Sequence, residues 1–230
     1  MVNNINTAWE KRSKVYGTRI EGVLPKSLPP QVNGYLDQWM YSQVKKVIPQ
    51  KKELKILDLG CGYGRLSKHL LEDFKQAKTF GVDVAANYVN LYNKNLSPRG
   101  KAVVGDIRKL PFSNSIFDNV FMVTTLMYVV KEDEQKRVIA EIFRVLKPGG
   151  TFVIIERNPI GQSIVTLGGL VNKVRGKGKR EINAVSFSQA DLIKLMSGAN
   201  VNVESIRGLP LFTLTLPFSN IFFIKLISLL

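Results

Sequence analysis

At 230 residues and 45% apolar content, the chain is long enough to bury a full core and is not composed like a disordered segment. Its one cysteine, Cys61, excludes an internal disulfide and fits a reducing compartment. A formal charge of +15, from 33 Lys+Arg against 18 Asp+Glu, suits anionic partners (nucleic acid, an acidic lipid surface, phosphorylated substrates) or simply a solvated basic surface.

The first residues, MVNNINTAWEKRSKVYG, lack the apolar stretch of a secretory leader, so a cytoplasmic location is expected, with or without association with a membrane. Residues 6–16 read as a short helix with Trp9, Ser13 and Tyr16 on one face and Gly17 as its stop. After a proline-containing loop, a second helix is expected from Pro30 to Ile48, with Leu36, Met40, Val44 and Val47 on one stripe. From Lys55 onward strands and helices alternate. The run KILDLG enters the glycine-rich turn at Gly60, Gly62 and Gly64, and a helix follows from Tyr63 to Phe74. KTFGVDVA is a second strand ending at Asp83, and KAVVGD a third ending at Asp106. FDNVFMVTT is a fourth, and the helix Glu132–Leu146, stopped by KPGG, leads to a fifth, TFVIIE. Strand–helix units repeated at this length predict a doubly wound α/β fold with a mostly parallel sheet and helices on both faces.

After Glu156 the alternation breaks. Residues 158–186 form an insertion, SQAD at Ser188 is a capping-box variant opening another helix, and VNVESI is a sixth strand. The apolar tail is interrupted by Pro210, Pro217 and Lys225, short of the ~20 consecutive apolar residues of a membrane span. Within it, IFFIKLISL fits either a last strand or a helix.

In such a sheet the ligand sits beyond the carboxyl ends of the strands, where the strand order reverses. A strand entering a glycine turn entering a helix brings backbone N–H groups up to a ligand. G-x-G-x-G at 60–64 departs from the dinucleotide fingerprint, since position 65 is Arg. A carboxylate at Asp83 can accept from two ribose hydroxyls, and one at Asp106 from an adenine amino group. Either aspartate alone is as well explained as a turn or cap residue; with the glycine turn at this spacing the pair reads as a nucleoside site.

ILDLGCGYG, GVDVA, GDIRKLPFSNSIFDNVF and LKPGG resemble, in order and spacing, the successive motifs of class I S-adenosylmethionine-dependent methyltransferases. The resemblance covers about residues 55–157, and LPF followed by FD is typical of the small-molecule branch. It implies a Rossmann-like doubly wound sheet of six or seven strands, the last antiparallel. The chain would divide into an N-terminal helical flap (1–50), a cofactor-binding core (51–157) and a C-terminal part (158–230) holding a substrate lid (158–186) and the apolar tail. It further implies that Gly60, Gly62 and Gly64 pass the methionine part of S-adenosylmethionine, whose product is S-adenosylhomocysteine. Asp58 would help hold the ammonium, Asp83 the ribose with Val84 against the adenine, and Asp106 the adenine amino group beside Ile107. Thr124 would lie near the methionine amino group and the acceptor, and Tyr16 and Arg19 would close from the flap. No metal is expected.

The transferred methyl is already activated, so the protein needs in-line alignment, exclusion of water and, for a weakly acidic acceptor, a base. Tyr128 and Glu156 are the candidates for positioning or proton transfer, although each also fits a buried hydrogen-bonded role. His69, in the helix after the turn, reads as a packing or surface residue, and Cys61 as a small turn residue. The expected activity is methyl transfer to oxygen or nitrogen of a small molecule, anionic or apolar, including lipid-linked or natural-product acceptors. Nucleic acid is a weaker candidate, because no Asn/Asp-Pro-Pro-aromatic motif follows strand four; an RNA methyltransferase and a non-catalytic cofactor-binding regulatory subunit are the alternatives. Lys173, Arg175, Lys177, Lys179 and Arg180 beside IVTLGGLV also suit peripheral contact with an anionic bilayer.

Overall fold

A computed structural model of the chain describes residues 2–25, 30–51, 53–157, 182–197, 201–208 and 221–228. Its centre is strand β1 (Lys55–Leu59), where Ile56, Leu57 and Leu59 are fully buried because helices cover both faces of the sheet. It is followed by α3 (Arg65–Asp73), β2 (Lys78–Asp83), α4 (Ala86–Leu96), β3 (Gly100–Val104), β4 (Phe117–Val123), α5 (Glu132–Val145) and β5 (Leu146–Arg157). Before it stand α1 (Val2–Tyr16) and α2 (Pro30–Lys46); after β5 come α6 (Gln189–Met196), β6 (Val201–Gly208) and β7 (Ile221–Ser228).

The sheet has seven strands in the order β3-β2-β1-β4-β5-β7-β6. The pairs from β3 to β5 are parallel, and β7 runs antiparallel to both β5 and β6. This is the Rossmann-like α/β class expected from the sequence, and the order reverses between β1 and β4. One face packs α2, α3 and α4 through Leu36, Met40, Leu70 and Tyr92. The other packs α5 and α6 through Val138, Ile142, Leu192 and Met196.

Several elements differ from the sequence expectation. Helix α1 begins at Val2, four residues earlier, and ends where Gly17 adopts φ +55 and its N–H bonds Ser13 O at 2.8 Å. Helix α2 opens with Pro30 as expected, but ends at Lys46. Strand β5 starts at Leu146, before the KPGG stop: Leu146 pairs with Phe117, the register then shifts, and pairing resumes at Thr151 with Asn119. The stop residues are thus looped out of the ladder as a bulge. In the tail, IFFIKLIS is a strand, paired antiparallel with β5 on one side and with β6 on the other. The capping box of α6 is present, with Ser188 and Asp191 exchanging their hydrogen bonds.

The loop after β3 is anchored from below by α5. Arg144 donates to the carbonyls of Leu110 and Phe112 and to Asn114 Oδ1, while Glu141 accepts the Leu110 N–H at 2.6 Å and pairs with Arg144. Arg144→Ala removes this clamp and is expected to lower unfolding stability by about 2 kcal/mol, seen as a lower urea midpoint with unchanged slope.

Candidate active site

Four turns meet at the carboxyl ends of the central strands. After β1 the chain reverses at Gly60 and Gly62, with φ +70 and +52, and at Gly60 the neighbourhood is also too tight for a side chain. A Cβ on Gly60 would lie 2.2 Å from Thr125 Oγ1. The turn is tied to β2: Val82 O accepts from the N–H groups of Gly60 and Cys61, and Asp83 Oδ2 accepts the Gly62 N–H at 2.8 Å. Asp83 Oδ1 accepts the Ala85 N–H at 2.9 Å. Beneath the turn, Ser67 of α3 donates to Asp58 Oδ2 at 2.8 Å. The loop after β3 presents Asp106 and Ile107. The exit of β4 presents Thr124, held at φ +51, a conformation rarely adopted by a β-branched residue.

These turns enclose a cavity of about 830 Å³. Asp58, Gly60, Gly62, Asp83, Val84, Asp106, Ile107, Thr124 and Tyr128 line it. Gly64, Tyr16, Arg19 and Glu156 do not, and each has another place. Gly64 (φ +85) packs α3 on α4, where a Cβ would strike Leu96 and Tyr92. Arg19 folds back onto the carbonyls of Val15 and Tyr16 at the end of α1, and Tyr16 lies against the guanidinium groups of Arg12 and Arg19. Glu156 is fully buried behind the β4 exit. Its Oε1 accepts the N–H groups of Thr125 and Leu126 at 2.9 and 2.7 Å, so it holds the strained turn rather than facing a ligand.

The flap does reach the site, through other residues. Ile5, Asn6 and Trp9 on α1 and Val23 line the cavity, and Trp9 packs edge-on against Tyr128 with ring centroids 5.3 Å apart. Two clips keep α1 there. Glu10 accepts the Asn87 N–H at the start of α4, and Arg12 donates to the carbonyls of Glu21, Gly22 and Leu24. Ile182 and Asn183, at the end of the expected lid, complete the wall with Val129, Val130 and Lys131. The apolar i, i+4 spacing of Ile5 and Trp9 was the one sequence signal for this face; nothing local marks Ile182 or Asn183. The rest of the lid, with its basic run from Lys173 to Arg180, lies outside the described residues.

Residues 56–150 match a family described as a methyltransferase domain. The chain is 34% identical to the sterol 4-C-methyltransferase strm-1 of Caenorhabditis elegans over 138 residues, 56% of this chain and 40% of the relative. It is 32% identical to the ubiquinone/menaquinone biosynthesis C-methyltransferase UbiE of Desulfotalea psychrophila over 113 residues, 48% of this chain and 44% of that protein. A SAM-dependent methyltransferase from Methanosarcina mazei shares the fold with a TM-score of 0.66 at 23% identity, over 88% of this chain and 99% of that one. Over residues 56–150 the chain thus resembles methyltransferases, and its fold is the one they share. It spans less than half the length of the two curated relatives.

The cavity's chemistry fits the methyltransferase cofactor. S-adenosylmethionine presents hydrogen-bond donors along its length (an ammonium, a ribose diol, an adenine amino group) and a positive sulfonium. The walls present four carboxylates, Asp58, Asp83, Asp106 and Glu134, the last two paired with Arg108, in a chain that is strongly basic overall. The glycine cradle leaves the backbone accessible where a side chain would fill it. Burial pushes the Asp58 carboxyl up to about 7, and a neighbouring ammonium would restore its ionised form. Burial also raises Asp83, opposed by the backbone N–H groups it accepts. The Cys61 thiol is buried and pushed well above its usual range, so it stays protonated, with Sγ against the backbone of Gly81.

Gly60→Ala, strained by its φ and by Thr125, is expected to destabilise the protein by about 1–3 kcal/mol and to abolish S-adenosylhomocysteine binding, as thermal melts and calorimetry will show. The pH dependence of stability follows from two buried acids. Asp58 is raised to about 7 and Glu156 to about 8, in each case by burial. The folded chain therefore keeps protons that the unfolded chain has released by about pH 5, and stability falls as pH rises from about 5 to about 8. The cofactor-free protein should melt at progressively lower temperature across that window, with a shallower fall in Glu156→Gln; equal slopes for the two proteins would refute the assignment to Glu156.

Proposed function

We propose that the domain transfers the methyl group of S-adenosylmethionine to a small apolar acceptor whose reacting atom is already nucleophilic: an electron-rich carbon, an enol or phenol oxygen, or a carboxylate. The observation that carries this reading is the second half of the cavity. Beyond the acidic nucleoside walls, Ile5, Trp9, Val129, Val130 and Ile182 make an apolar chamber, with Tyr128, Asn6 and Asn183 as its polar points. The two curated relatives are named for sterol and quinone C-methylation, which adds carbon to the oxygen and nitrogen expected from the sequence.

The acid–base groups support an acceptor that needs little activation. The chain's one histidine, His69, pairs with Asp37 and Glu72 away from the cavity. Asp106 and Glu134 are both paired with Arg108. Burial raises the Tyr128 hydroxyl, against the pull of Arg157 and Arg12, so at neutral pH it remains a hydrogen-bond donor and not a base. Its expected role is to orient the acceptor's polar group while Trp9 covers the site from water. Bound S-adenosylmethionine supplies the electrophilic methyl.

Peripheral contact with an anionic bilayer belongs to the same reading. Val104 and Val130, both more than half exposed, flank the cavity, and the net charge is +15. No helix among the described residues is long and apolar enough to cross a membrane. Incubation of the protein with methyl-labelled S-adenosylmethionine and a whole-cell extract, followed by organic-solvent partition and with Asp83→Ala as control, tests the proposal. Label entering the organic phase, lost in the control and increased by anionic vesicles, is the expected result. Label confined to polar metabolites would overturn the apolar acceptor, failure to transfer label to any fraction would overturn the activity, and indifference to vesicles would overturn the bilayer contact.

A further inference from the structure

Arg108 sits where the cofactor's adenine would be read. In the structure the Asp106 carboxylate is already engaged: Oδ1 accepts the Arg108 backbone N–H at 2.8 Å and its Nε at 2.9 Å, and Oδ2 accepts Nε at 3.0 Å and Nη2 at 2.6 Å. The other terminal nitrogen, Nη1, lies 2.9 Å from Glu134 Oε2 in the first turn of α5. All three side chains line the cavity, and all three are partly exposed. A carboxylate has about four lone-pair sites, and Arg108 makes four contacts to this one. An amino group arriving at Asp106 must therefore displace part of that pairing.

We propose that Arg108 is a specificity-determining residue that competes with the adenine amino group for Asp106, and that Glu134 is the second carboxylate onto which its guanidinium is drawn when the cofactor enters. The inference rests on the nucleoside reading of the cavity and adds to it. A planar guanidinium already bridging two carboxylates can shift its weight from one to the other without losing a charged partner. Glu134 follows Val129, Val130 and Lys131, which line the acceptor half of the cavity. Adenine binding at Asp106 would thus strengthen the tie between the β3 loop and the wall of the acceptor chamber, coupling the two halves of the site.

The exchange predicts opposite signs for two substitutions, whereas a pairing that only braces the fold predicts the same sign. Removing Arg108 by Arg108→Ala frees Asp106, so S-adenosylhomocysteine should bind about fivefold tighter, the size of one hydrogen bond no longer contested. Removing the alternative partner by Glu134→Ala leaves Arg108 wholly on Asp106, and binding should weaken by about the same factor. Discrimination against S-inosylhomocysteine, whose 6-oxo group faces Asp106 unfavourably but Arg108 favourably, should rise in Arg108→Ala and fall in Glu134→Ala. Calorimetric titration of both ligands against the full chain measures all of this without turnover, and thermal melts establish that each variant is folded. Should Arg108→Ala not fold, Arg108→Lys, a point charge that cannot bridge two carboxylates, is expected to shift affinity and discrimination in the same direction. Weakening by both substitutions, or no change in either, would overturn the inference while leaving the nucleoside site standing. Failure of the unsubstituted protein to bind S-adenosylhomocysteine would overturn the nucleoside reading and this inference together.

Discussion

The carboxylate of Asp83 accepts the Gly62 N–H from one oxygen and the Ala85 N–H from the other, joining the turn after β1 to the turn after β2. Both turns need this. The glycine turn runs through two residues of positive φ; Val82 O takes the N–H groups of Gly60 and Cys61, and the Gly62 N–H finds its partner in the Asp83 side chain at 2.8 Å. Asp83 is itself almost completely buried, which costs solvation that the two N–H groups offset. Asp83 also lines the cavity, so the bonds that shape the turn hold its carboxylate at the cavity wall.

The rest of the site repeats that economy of acids inside a basic chain. Asp58, Asp83 and Asp106 stand together at the strand ends, while the net charge of +15 resides elsewhere. A cationic, donor-rich cofactor fits these acids, and an ammonium beside Asp58 would offset the burial and the like charge of Asp83 that raise its carboxyl. Glu156 shows the other use of a buried acid. Its Oε1 holds the backbone of Thr125 and Leu126 just after the strained Thr124, while its Oε2 has no hydrogen-bond partner among the described residues. It supports the wall of the chamber from behind.

The acceptor half depends on contacts between parts of the chain far apart in sequence. Helix α1 covers the chamber because Glu10 reaches the start of α4 and Arg12 ties the helix to the 21–24 turn. Tyr128 meets Trp9, 119 positions earlier, edge to face. The strip after the lid enters the same wall because Val185 N–H bonds Met127 O at 2.8 Å and Phe187 N–H bonds Arg157 O at 2.8 Å. These polar clips, with the apolar packing of Phe187, Ala184 and Val185 on the core, position the pieces that would meet an acceptor.

The parallel sheet, the capping box at Ser188 and the meeting of Gly60, Gly62, Asp83 and Asp106 at one cavity were legible in the sequence, because each depends on a local pattern: an apolar run into glycine, or an acid at a strand's carboxyl end. Which way a side chain points from such a position is not local. Asp83 and Glu156 both lie near strand ends, yet one faces the cavity and the other the backbone of a neighbouring turn, since the pleat and the bulged register between β4 and β5 set the direction. Gly64 looks like its two companions in sequence but is needed for the approach of α3 to α4. Arg19 turns back on its own helix end, and Trp9 takes the covering place, because the clips at Glu10 and Arg12 fix the rotation of α1. Likewise IFFIKLIS fits helix or strand by composition, and its pairing with β5 and β6 makes it a strand. Short-range propensity thus determined the glycine- and aspartate-lined half of the cavity, and long-range packing decided the half that α1, Tyr128 and the 182–183 strip enclose.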